Sequence, residues 1–398
     1  MGAAGSQSSG AGGAGGAGGG HAGVNTGPAT NGGSGTNTNG GTSAGTSSAF
    51  WEEFDIGNNG DQKRLFIVTD DVWVRSDNAP ISRETADFIS YDQGKQWQAL
   101  HSGFTNPLYQ EGTFGVLGVD REGTLLARWI SPGSTCSQGC LPTTPGQAGT
   151  TYLLSLDITT KSWALGSPFP EGDFSSIRYL ASSTTSSWLF DSGGKEQLRY
   201  DGSGQWQVLS PPSELYGPIA VSPAGTRYAY GLVEYATAKD SLALLRSAEG
   251  ASAWEALPDC PATLTELTAV DDQNLYGVSR SGFYHFDTGA NAWETRTPPI
   301  TLAENEHLYV SGRTSKEGHV IVTLGGSIYD SATDTSKTRL LTFLSVDGGK
   351  TWAEHSLPKP TVAFSALAFD AQGRAYLMGR PEVGEHYRVW RSPSSSQW

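Results

Sequence analysis

Two stretches of this chain share one pattern. Ser90-Tyr91-Asp92-Gln93-Gly94-Lys95-Gln96-Trp97 and Ser345-Val346-Asp347-Gly348-Gly349-Lys350-Thr351-Trp352 both read S-x-D-x-G-x-x-W, with apolar residues on either side. A turn repeated at four fixed positions implies a repeated supersecondary unit, which restricts the chain to a repeat architecture. Each position has a local physical role. Ser and Asp side chains bond backbone N–H groups inside the turn. Gly permits a positive φ that other residues resist. The Trp ring buries about 150–250 Å² between adjacent sheets. The pattern therefore reads as structural rather than catalytic.

Weaker copies extend the repeat. Tyr200-Asp201-Gly-Ser-Gly-Gln-Trp206 keeps the Asp-to-Trp spacing, and Ser247-Ala-Glu249-Gly-Ala-Ser-Ala-Trp254 keeps it with Glu in the Asp place. Asp157 to Trp163 and Asp287 to Trp293 are one residue longer, and Ser392 to Trp398 is degenerate. The seven Trp positions (97, 163, 206, 254, 293, 352 and 398) are separated on average by about 50 residues, the size of a four-stranded propeller blade. Between them, apolar runs such as Phe114–Val119 and Phe364–Phe369 lead into tight turns, Asp120-Arg-Glu-Gly123 and Asp370-Ala-Gln-Gly373, followed by a returning run. This is the grammar of a β-meander. The expected fold is all-β: a seven-bladed propeller of four-stranded antiparallel blades. The seventh unit stops at Trp398, so its outer strand is expected from the segment Ala49–Phe54, closing the ring from the N-terminal side and hiding the sheet edges.

Residues 1–48 are almost entirely Gly, Ala, Ser, Thr and Asn. Such a run buries too little apolar surface to offset the entropy of ordering, so a disordered tether is expected over 1–48 and the propeller over 49–398. The formal net charge of -14 repels polyanions and argues against nucleic acid and anionic membrane surfaces as partners. No apolar stretch is long enough to span a bilayer. Cys136-Ser-Gln-Gly-Cys140 lies in a Pro/Gly/Thr-rich stretch and reads either as a small disulfide ring or as two free thiols, leaving Cys260 as an expected buried residue. Met1 leads straight into the Gly-rich tract. An exported or surface-anchored chain in the extracellular space or cell envelope is the expected setting. A lipid anchor at a native N-terminus and a truly cytoplasmic start are the alternatives, and a monomer is the expected state.

The two intact boxes resemble the Asp-box, or BNR, repeat of sialidases and related propellers, and through the weaker copies the resemblance covers residues 50–398. It implies a propeller fold. A sialidase would also carry three inner-strand arginines clamping a carboxylate, a Tyr–Glu nucleophile pair and an Asp acid/base. The triplet that marks the first arginine is absent, and Ala79-Pro80-Ile81-Ser82-Arg83 does not replace it. Arg64 and Arg178 fall on or beside expected inner strands without a third. The resemblance therefore carries the fold without the sialidase catalytic signature.

Binding residues concentrate on the longer loops, on the face opposite the boxes. The expected ligand-binding set there is Tyr109, Glu111, Asp173, Tyr216, Tyr235, Glu306, His307, Tyr329 and His386. Carboxylates and aromatics in this mixture suit a glycan or a protein ligand, and equally describe a solvated acidic face. Asp173, Glu304, Glu306 and His307 are the candidates for catalysis should the chain be a polysaccharide hydrolase or lyase, because paired acids across a channel are what that chemistry needs. No His cluster has metal-ligand spacing and no phosphate-binding loop or nucleophile elbow is present, so no cofactor or metal is expected. A non-catalytic propeller binding a glycan or protein, a polysaccharide-acting enzyme and an envelope scaffold are the three function classes left.

Overall fold

In both intact boxes one hydroxyl and one carboxylate close the turn. Ser90 Oγ accepts from Gly94 N–H at 2.7 Å and donates to Asp92 Oδ1 at 2.7 Å, while Asp92 Oδ1 accepts from Gln96 N–H at 2.9 Å. Ser345 and Asp347 repeat the scheme with Gly349 and Thr351 at 2.8 and 2.9 Å. The glycines are required twice over: Gly349 has φ +82°, and a Cβ there would stand 2.8 Å from the Phe283 ring.

The computed structural model describes residues 50–57, 64–76, 87–100, 113–131, 150–170, 177–191, 197–209, 215–235, 238–301, 306–330, 335–358, 363–381 and 385–398. The leader expected over 1–48 lies outside them, as do Cys136 and Cys140. The described strands form seven four-stranded antiparallel sheets, as the repeat predicts. Blade 1 is β2 (Arg64–Ile67), β3 (Trp73–Ser76), β4 (Asp87–Ser90) and β5 (Gln98–Ala99). Blade 2 is β6 (Thr113–Val119), β7 (Leu125–Ile130), β8 (Thr151–Asp157) and β9 (Ser162–Pro168). Blade 3 is β10 (Ile177–Ser182), β11 (Ser187–Asp191), β12 (Gln197–Tyr200) and β13 (Trp206–Leu209). Blade 4 is β14 (Leu215–Val221), β15 (Arg227–Tyr235), β16 (Ala238–Ser247) and β17 (Glu255–Ala256). Blade 5 is β18 (Leu264–Ala269), β19 (Asn274–Ser279), β20 (Gly282–Asp287) and β21 (Ala292–Thr295). Blade 6 is β22 (Glu306–Thr314), β23 (Val320–Asp330), β24 (Thr335–Ser345) and β25 (Ala353–Glu354). Blade 7 is β26 (Ala363–Phe369), β27 (Ala375–Arg380), β28 (Tyr387–Arg391) and, as its outer strand, β1 (Glu52–Gly57). The N-terminal closure expected from the sequence is thus present, and apolar clusters fill the wedges between successive blades.

One expectation is corrected. The box Trp sits near the start of the outer strand, and in blades 2, 5 and 6 its indole N–H reaches back to a carbonyl just past the outer strand of the preceding blade. Trp163 donates to Leu100 O, Trp293 to Pro258 O and Trp352 to Arg296 O, at 3.4, 3.1 and 2.9 Å. In blade 7 the residue in that position is Trp51, which donates to His355 O at 3.3 Å and is 3% exposed. Trp398 instead donates to Pro393 O and packs edge-on to His319 of blade 6. The stitch of blade 7 comes from the N-terminal strand because that strand, not the C-terminal turn, supplies the fourth position of the sheet. A second correction concerns Glu249. Rather than bonding within its own turn as the Asp does, it accepts from Arg199 Nη2 of blade 3 at 2.6 Å, since the longer side chain reaches across the blade boundary.

The closure is reinforced from blade 1. Arg75 is wholly buried between the rings of Phe88 and Trp97, 4.9 and 4.3 Å from their centroids, and donates to Ile56 O on β1 at 2.5 Å. Burial lowers its pKa to about 10, so the cation persists at neutral pH.

Candidate functional site

The seven innermost strands surround a channel, and only some of their residues face it. Along β22, Val310, Gly312 and Thr314 are buried while Tyr309, Ser311 and Arg313 are exposed. The period of two in a strand puts the exposed set on one face. Tyr309 is 58% exposed, the highest value among the large apolar side chains described. Arg313 Nη1 lies 3.1 Å from Glu266 Oε2 on β18, so an ion pair joins two neighbouring inner strands, with its cation four residues further along β22 than Tyr309. At the loop-face end of β22, Glu306 is 8% exposed and its carboxylate occupies the space over Gly326 of β23. A Cβ at Gly326 would stand 1.8 Å from Glu306 Oε1, so only glycine leaves room for that carboxylate.

At the opposite end, Arg121 projects from the turn between β6 and β7. Its guanidinium donates to Ser182 O of blade 3 at 3.5 Å and to Val270 O of blade 5 at 3.3 Å. A reach from blade 2 to blade 5 crosses the box-face end of the channel. The rim of the loop face is uneven. The hairpins β15–β16 and β23–β24 are long, whereas β19 and β20 of blade 5 turn within Arg280 and Ser281. Blade 5 is therefore a low point between two taller neighbours, directly beside Tyr309.

Several expected site residues are placed differently from the sequence reading. Glu306 and His307 open the strand β22, and Tyr216, Tyr235 and Tyr329 lie on β14, β15 and β23, where loops were expected. Polar stretches that read as loops are drawn into strands because a neighbouring strand pairs with their backbone. His386 lies beside the outermost strand of blade 7, with Nδ1 3.2 Å from Asp55 Oδ1, on the rim rather than at the channel mouth. Tyr109, Glu111, Asp173 and Glu304 lie outside the described residues, so of the proposed acids Glu306 alone is placed. Arg64 is on an inner strand as expected, but its guanidinium donates to Val116 O and Leu117 O of blade 2 at 3.2 and 2.7 Å, a structural use. Tyr309, Ser311, Arg313 and Glu266 were not singled out in the sequence, where they are ordinary members of an alternating strand.

The box face carries a crevice of about 190 Å³ between blades 5 and 6, lined by residues that include Asp271, Asn274, Tyr276, Glu317 and Asp347. Asp271 and Asp347 are engaged by N–H groups of their own turns. Among the described residues no group of three or more His, Cys, Asp or Glu side chains is placed to hold a metal ion. No described helix is long and apolar enough to cross a membrane. Cys260 is a free thiol, half-buried rather than buried as expected, and desolvation raises its pKa.

No protein-family model and no curated protein matches this chain. Solved structures do. A structure described as YCF48 bound to D1 peptide superposes with a TM-score of 0.52 at 15% identity, covering 88% of this chain and 97% of that one. The Hadza microbial sialidase Hz136 gives 0.38 at 14%, over 87% and 69%, and virginiamycin B lyase from Staphylococcus aureus 0.35 at 10%, over 86% and 99%. At such identities the likeness is one of fold, a β-propeller, and any chemistry must be argued from the site.

Proposed function

We propose that this chain is an exported or surface-tethered Asp-box propeller that binds a segment of a partner protein at the loop-face mouth of its channel without transforming it. The observation that carries the reading is the exposed Tyr309 on an innermost strand, with exposed Ser311 and Arg313 further along the same face and Glu266 paired to Arg313 from β18. An exposed aromatic ring, with both signs of charge further along the same strand face, offers an apolar anchor and polar partners for a peptide backbone, and aromatic and Arg anchors dominate protein recognition. Three arginines lie on innermost strands, Arg64, Arg178 and Arg313, so the third that the sequence reading did not find is present on β22; Arg64 bonds backbone carbonyls and Arg313 pairs with Glu266, and that neither of these two is aimed at a substrate carboxylate supports binding over sialidase chemistry. The structurally similar YCF48 was solved with a peptide, which supports the same ligand class.

The test screens the full chain against a displayed peptide library and a glycan array, then measures the selected ligand against Tyr309→Ala and Arg313→Ala. Loss of an anchoring aromatic is expected to weaken binding about thirtyfold, the equivalent of about 2 kcal/mol. Selection of glycans alone would change the ligand class. Turnover of a polysaccharide that disappears in Glu306→Gln would replace binding by catalysis.

A further inference from the structure

Blade 6 ends in strands of unequal length. β24 has 11 residues and its outer neighbour β25 has 2. β25 pairs with β24 at Phe343 and Leu344, and His355 N–H then reaches Thr342 O at 2.9 Å. Beyond that point residues 335–341 have β23 on one side and, among the described residues, no strand on the other.

The backbone direction of this edge follows from the register. Pairing with β23 is unbroken from Val320↔Ser345 to Asp330↔Thr335. In an antiparallel strand the N–H and C=O of one residue point to the same side, and successive residues alternate. The bond from His355 to Thr342 O identifies the even-numbered residues as the outward ones. Ser336, Thr338 and Leu340 therefore present their amides and carbonyls away from β23, at the ~7 Å repeat that an added strand requires.

Such an edge is a template for strand addition, and proteins commonly guard it with charge. The segment Thr-Ser-Lys337-Thr-Arg339-Leu-Leu carries two cations and no acid, in a chain of net charge -14. Antiparallel pairing of two copies of this edge would bring four cations together. An acidic strand would neutralise them. We propose that β24 accepts an extended, acidic, β-forming segment of a partner protein as an added strand on the outer side of blade 6. This surface is separate from the channel mouth, and the proposal stands whether or not Tyr309 binds a ligand.

The probe is a capped heptapeptide of alternating valine and glutamate, titrated calorimetrically into the full chain and followed by amide hydrogen exchange. Binding is expected, with exchange slowed at Ser336, Thr338 and Leu340. Thr338→Pro removes one outward N–H without touching the ladder to β23, a position where an edge strand tolerates proline. It is expected to weaken binding at least tenfold, whereas Thr338→Ala and Tyr309→Ala leave it unchanged. The same peptide methylated on every amide nitrogen should not bind, which keeps the test decisive if Thr338→Pro fails to fold. Lysine in place of glutamate should weaken binding at least tenfold. No slowing of exchange at the three outward amides, equal binding by the methylated peptide or equal binding by the lysine peptide overturns the proposal, as does concentration-dependent pairing of the chain through this edge.

Discussion

The position of the stitch in blade 7 makes a quantitative prediction. Trp51 is 3% exposed and packs in a cluster with Ile321, Leu344, Leu377 and Trp390, each buried to 1% exposure or less. Its replacement by alanine removes nearly a whole buried indole, which costs roughly 3–5 kcal/mol in a core that relaxes only in part. It also takes the donor from His355 O, adding about 1 kcal/mol. Trp398 is half-buried at the edge of the same cluster, and its N–H bonds Pro393 O in its own turn, so its loss breaks no bond between blades. Trp398→Ala is expected to cost about half as much, roughly 2 kcal/mol. Urea unfolding of the two variants, read by Trp fluorescence and by far-UV circular dichroism, gives the comparison from midpoints at constant m. Equal costs, or a larger cost for Trp398→Ala, would return the seventh box position to the C-terminal turn and refute the assignment of Trp51.

Two further predictions concern charge. Burial pushes the Asp347 carboxyl up, but bonds from the Thr351 N–H and hydroxyl and from Ser345 outweigh it and hold the pKa below the usual carboxylate value. Because the folded pKa is the lower one, this stabilisation is complete above the unfolded pKa of ~4 and is lost as pH falls through the folded value. Asp347→Asn should cost about 1 kcal/mol at pH 7, and its gap from the parent chain in urea midpoints should close below pH 4; a gap independent of pH would show that the carboxylate charge is not what closes the turn. His285 is 4% exposed, bonded through Nε2 to Asn274 Oδ1 at 2.8 Å, and desolvation, then Arg296, lowers its pKa. Its folded pKa lies below the unfolded ~6.5, so stability is full above that value and declines at up to about 1.4 kcal/mol per pH unit as pH falls below it. His285→Gln should flatten the decline of the urea midpoint between pH 6.5 and 5, and an unchanged slope would mean that His285 does not take up the proton.

Much of the fold could be read from the chain because the box is a local object. Ser90, Asp92, Gly94 and their counterparts close a turn within eight residues, so their identities suffice to locate it and their recurrence to count blades. What was misread depended on partners distant in sequence. The stitch made by Trp51 to His355 spans 304 residues, and nothing near Trp51 distinguishes it from any aromatic residue beginning a strand. The Glu249–Arg199 pair crosses a blade boundary in the same way. The tall hairpins of blades 4 and 6 are built from polar segments that become strands through pairing, since β-propensity mostly reports packing and neighbours rather than an intrinsic preference.

The site is harder to read than the fold for a reason specific to rings of blades. Each inner strand alternates two faces, and both are polar or apolar in patches; which one meets the channel is decided by the wedge between neighbouring sheets. His307-Leu308-Tyr309-Val310-Ser311 reads as an ordinary alternating strand, and charge alone drew attention to Glu306 and His307. Ring geometry instead exposes Tyr309 and buries Glu306 against Gly326. A residue type that signals chemistry in sequence is thus enclosed, and an unremarkable aromatic becomes the accessible group. An exposed aromatic on a strand otherwise packed against its neighbours gains nothing for the fold, which is why Tyr309 is the residue on which the proposed function is staked.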